Sequence, residues 1–139
     1  MWRSCLVLVL LPAFAASAET PPPVRPAEIL RTDSTMSGQP LRLPEGAAEV
    51  VGTAVDMAPG ASIAPHRHPW SRFGYVERGR LGVRNLDTGL ERVFGPGELV
   101  AESVGQLHEG WVVGPDPVRI IVIDLVPPGA PNVTAGAAP

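Results

Sequence analysis

The chain has 139 residues, three histidines, one cysteine and a formal net charge of −3. That length holds one domain with a real core and not two of ordinary size. The mild acidity offers no basic surface for nucleic acid, and a single cysteine rules out a disulfide framework.

The N-terminus reads as a processing segment. Met1-Trp2-Arg3 carries one positive charge, Leu6 to Ala16 is apolar, and Ala16-Ser17-Ala18 has the small-x-small form of a cleavage site. This is the anatomy of a secretory signal peptide over residues 1–18. The apolar run falls short of the roughly 20 residues that cross a bilayer, although an uncleaved anchor is the alternative. Cys5 precedes the run, where a lipid-acceptor cysteine would follow it. Cleavage removes Cys5 and Arg3, taking the net charge from −3 to −4. The expectation is an exported protein, periplasmic or secreted, without disulfides and without membrane association after cleavage.

Residues 19–44 read as a proline-rich linker (Glu19 to Pro26) and an extended arm lying on the domain, with room for one short strand. The domain proper is expected over residues 45–127. Glu49 to Met57 is β-branched and stops at the turn signal Ala58-Pro59-Gly60. Phe73 to Val76 leads to Gly79. Arg80 to Leu86 alternates, and Asp87-Thr88-Gly89 forms a hairpin turn into Leu90 to Phe94. Glu98 to Glu102 follows the turn Gly95-Pro96-Gly97. Trp111 to Val113 and Val118 to Val126 complete the set, the last nearly continuous in apolar residues as a central strand should be. Residues 128–139 are Pro, Gly and Ala-rich and read as a flexible C-terminal tail. No segment longer than two turns has helical periodicity, and there is no internal repeat. Seven or eight short strands with regular turn signals predict an all-β sandwich or barrel.

All three histidines enter one pattern. His66 and His68 stand two apart in a segment of strand character, so both imidazoles leave one face. His108 arrives from a distant segment after a strand and a turn. Three imidazoles meeting from two strands make three corners of a metal site. Ordinary polar residues at a barrel mouth are the bland alternative.

The β pattern and the histidines together resemble the cupin superfamily, in particular its small single-domain members. The resemblance runs from about Val50 to Leu125. Gly60, His66, His68 and Gly79 fall in register with the first cupin motif. Gly97, Gly105 and His108 fit the second, with Ser103 in place of its proline. The resemblance implies a double-stranded β-helix (jelly-roll) barrel in a single domain. It also implies that His66, His68 and His108 hold one divalent metal ion. Fe, Mn, Zn, Ni and Cu are not distinguished by these donors.

Arg72 stands where the first motif has its acidic ligand. Strand parity turns it inward with Gly74 and Val76, and a lone buried guanidinium is costly. It could bind an anionic group of a ligand, pair with an inward acid, or reach solvent through a bulge. Glu102 is a candidate fourth ligand, a catalytic base, or Arg72's partner. A solvent-facing strand acid is the alternative. Trp70, Tyr75 and Trp111 are candidates for the wall of a substrate pocket, or simply core and dimer contacts.

The expected function is a metal-dependent enzyme of oxygenase type acting on a small organic molecule, an acidic one if Arg72 reads it. The alternative is a non-catalytic module that binds a metal or a small ligand. Beyond that ligand, a homodimer through exposed strands or the arm is the one partner considered, and none is a nucleic acid.

Overall fold

The computed structural model describes residues 24–136. The signal segment expected over residues 1–18 lies outside them. Nine strands and no helix make up the described residues: β1 (Glu49–Met57), β2 (Ser62–Arg67), β3 (Arg72–Arg78), β4 (Leu81–Asn85), β5 (Glu91–Phe94), β6 (Leu99–Ala101), β7 (His108–Val112), β8 (Val118–Val126) and β9 (Thr134–Ala135). They pair antiparallel in two sheets, ordered β1-β8-β3-β6 and β5-β4-β7-β2-β9.

Alternation builds the core. Val118, Ile120, Val122, Asp124 and Val126 of β8 are buried, while the residues between them stand half-exposed or exposed. Val118, Ile120 and Val122 meet Met57, Val76 and Val100 of their own sheet and Leu81, Val83, Phe94 and Val112 of the other. Both sheets therefore share one apolar interior, and the fold is the expected single-domain double-stranded β-helix. The apolar run of β8 lies between β1 and β3, the central place its composition predicted. Gly79 closes the turn after β3 at φ +74°, and a Cβ there would collide with the Pro117 carbonyl oxygen. Only glycine meets both demands cheaply.

Two boundaries differ from the sequence reading. β7 opens at His108, so the third histidine is on a strand rather than before one. The arm lies against the barrel, the place expected of it: Ser34 bridges Pro40, and the Met36 amide donates to the Ala101 carbonyl at 2.8 Å. The C-terminal segment also packs down instead of trailing free as far as residue 136. β9 pairs with β2 at His66 and Arg67, and the Gly136 amide donates to the Pro65 carbonyl at 3.0 Å.

Candidate metal centre

The histidines come together because β2 and β7 are neighbours. His66 and His108 are cross-strand partners, and His68 follows just past the end of β2. The ring centroids lie 4.4 to 4.8 Å apart. Each Nδ1 contacts a main-chain carbonyl: His66 to Ala64 at 2.8 Å, His68 to Asn132 at 2.6 Å, His108 to Gln106 at 2.9 Å. A carbonyl only accepts, so each Nδ1 carries the proton and each Nε2 presents its lone pair. The Nε2 atoms of His66 and His68 are 3.2 Å apart, and one ligand atom from each histidine falls within 4.8 Å of the others.

Glu102, just past β6, adds an oxygen to the same point. Its Oε2 is 3.2 Å from His68 Nε2 and 3.4 Å from His108 Nε2. Its amide donates to the Arg72 carbonyl at 2.9 Å. The acid missing at position 72 thus arrives from the neighbouring segment. Gly74 leaves it space, since a Cβ there would stand 3.2 Å from Glu102 Oε1.

Burial lowers the His66 pKa to about 4, more than its bond to Ala64 raises it. Burial opposes ionisation of Glu102 most strongly, yet the neighbouring His108 and His68 rings outweigh it and hold the carboxyl down to about 2. The rings exert that pull only when cationic. With neutral rings, His108 Nε2 is a buried lone pair with no hydrogen-bond partner, facing a carboxylate. Such an arrangement repels unless a proton or a cation sits between. Three imidazole nitrogens and one carboxylate oxygen suit a divalent metal ion.

Around the donors, polar side chains fix the carbonyls. Ser103, at the position expected for proline, bonds the Ser37 hydroxyl of the arm at 2.9 Å and accepts from Asn85 Nδ2 at 3.1 Å. Ser37 and Asn85 both donate to Gln106 Oε1, at 2.7 Å each. Gln106 supplies the carbonyl that orients His108.

Arg72 does turn inward, and its partner is Asp124, directly across the β3–β8 pair. Nε and Nη2 meet Oδ1 and Oδ2 at 2.6 and 2.8 Å. Asn132 Nδ2 also donates to Asp124 Oδ1 at 2.6 Å. Burial raises the Asp124 pKa, but bonds from Arg72 and Asn132 and the Arg72 charge overcome it and leave it low. The sequence reading missed both Asp124 and Asn132. A signal for Asp124 was present: it is an acid with the inward parity of Val118, Ile120 and Val122. Asn132 carried none, lying in a segment read as loose.

A cavity of about 390 Å³ opens onto the donors. His66, His108, Glu102 and Arg72 line it, with a wall that includes Val55, Ile63, Leu81, Ile120, Val122 and Val133. The three aromatic candidates are not on that wall. Tyr75 alternates with Gly74 and Val76, so it cannot share the inward face with Arg72. Trp111 lies over Gly82, with the Arg84 guanidinium 5.5 Å from its ring. Trp70 borders a separate cleft between the arm and the barrel.

Residues 53–124 match the Cupin_2 model, the Cupin domain. The chain belongs to the cupin family. No curated protein matches it. Among solved structures, this cupin is similar to oxalate oxidase in complex with the substrate analogue glycolate. Those two are 30% identical with a TM-score of 0.54, over 61% of this chain and 45% of that one. The cupin chain thus spans less than half the length of that oxidase. An uncharacterized double-stranded β-helix protein from Klebsiella pneumoniae is 21% identical, with a TM-score of 0.53 over 70% of this chain and 91% of that one. The DMSP lyase DddQ from Ruegeria pomeroyi is 18% identical, with a TM-score of 0.55 over 64% and 44%. These last two share the fold.

Proposed function

We propose that this cupin is a metal-dependent enzyme of oxygenase type that acts on a small organic molecule. His66, His68 and His108 hold one divalent metal through Nε2, and Glu102 is the fourth ligand. The carrying observation is the buried lone pair of His108 Nε2 facing two other ring nitrogens and a carboxylate. The cavity that opens on these donors supports turnover over a purely structural ion, because a substrate can reach them. The likeness to an oxalate oxidase supports chemistry with dioxygen, of which an oxygenase is one form. A bound metal would supply a Lewis acid and, if redox-active, electron transfer with dioxygen. The chain's own contribution is to hold the tautomers through the three carbonyls, to keep water from the apolar wall, and to orient the ligand. Export follows from the pattern of residues 1–18, and N-terminal sequencing of the mature protein tests it.

The deciding experiment is elemental analysis of the full chain and of H66A/H68A, with oxygen uptake measured on small organic compounds. Near-stoichiometric metal in the wild type and its loss in the double variant are expected. Metal retained by H66A/H68A overturns the ligand assignment. Bound metal with no uptake for any compound overturns the oxygenase reading in favour of a binding module.

A further inference from the structure

The cavity holds information about its ligand. Its polar lining consists of His66, His108 and Glu102, which point at the proposed metal, Glu109, and Arg72. Glu109 is drawn to Arg84, 3.6 Å away on the neighbouring strand. Among the described residues, Arg72 is the single cation on the wall, and Asp124 takes its charge through two hydrogen bonds of 2.6 and 2.8 Å. Asp124 is itself 4% exposed and braced by Asn132, so the pair is built in rather than casual. An anionic group placed away from the metal would find a neutralised arginine and hydrocarbon, and burying a charge there is costly. A ligand body without charge loses nothing.

We infer that the ligand meets the metal with one polar head and buries a neutral, apolar body about the size of a single ring against Val55, Ile63, Leu81, Ile120, Val122 and Val133. It carries no second anionic group. Arg72 is then a clamp between β3 and β8 and not a reader of carboxylates, contrary to the acidic substrate its position suggested. This inference rests on the metal-centre reading above.

Two probes share one head and differ only at the far end: 4-methylcatechol and 3,4-dihydroxybenzoate. Calorimetric titration of the metal-loaded full chain, with metal content measured before and after, should show 4-methylcatechol binding at least about tenfold tighter. In D124N the Arg72 charge is released, and the gap should narrow toward the carboxylate. The wild-type comparison stands alone if D124N does not fold. Equal or tighter binding of the carboxylate by protein that keeps its metal overturns the inference while leaving the metal centre intact. So does failure of 4-methylcatechol to bind. Protein that takes up no metal overturns the reading beneath it.

Discussion

At the scale of single residues, the acid is the part that moved. Position 72 holds an arginine, and Glu102 brings a carboxylate oxygen within 3.2 and 3.4 Å of two ring nitrogens. E102Q keeps the shape and removes the charge. It should weaken metal binding by about 10–100-fold, read by competition with a chromophoric chelator. Unchanged affinity with lost turnover would make Glu102 a base rather than a ligand. Arg72 and Asp124 invite a double-mutant cycle. D124L strands a largely buried guanidinium, at a cost of about 3 kcal/mol. R72M/D124L removes both charges and should cost clearly less, with Asn132 Nδ2 left to find a new acceptor. Urea unfolding of R72M, D124L and R72M/D124L checks this, and a double loss equal to the sum of the two single losses would show that the pair is not coupled. The histidines were legible because an i, i+2 pair and fixed glycine spacings survive in linear order. The aromatics were not. Strand parity separates two faces without saying which is inside, and Tyr75 falls opposite Arg72, so the two could not both face the cavity.

At the scale of elements, the C-terminal segment is the part the sequence concealed. Its Pro, Gly and Ala content has no period, so nothing local marks it as structure. Its order comes from partners distant in the chain. β9 pairs with β2 beside His66, the Asn132 carbonyl accepts from His68 Nδ1 at 2.6 Å, and Val133 and Ala135 line the cavity. β8 shows the opposite case, because a nearly unbroken apolar run announces its central place without help. Deletion of residues 132–139 should therefore harm the site more than its length suggests. His68 loses the acceptor that fixes its tautomer, and metal affinity should fall about tenfold or more. If the truncated chain binds metal as tightly as the full one, the segment is packing alone and His68 is oriented by other means.

At the scale of the whole molecule, the donors join two halves. His66 and His108 belong to the five-stranded sheet, with His68 just past β2, while Glu102 continues β6 of the four-stranded sheet. A metal held by all four would tie the sheets together at one end of their shared core. Without it, lone pairs and a carboxylate face one another there, and a chain with a single cysteine has no internal disulfide to compensate. A metal that binds only the folded chain stabilises it by about 4 kcal/mol when free metal is a thousandfold above its Kd. For a domain of this size, that moves Tm by on the order of 10 °C. Thermal unfolding of metal-loaded protein with and without a strong chelator should show such a drop, and H66A/H68A should melt at one temperature in both. If chelation strips the metal and Tm stays where it was, the ion sits in the barrel without bracing it, and the two sheets are held by their apolar interior alone.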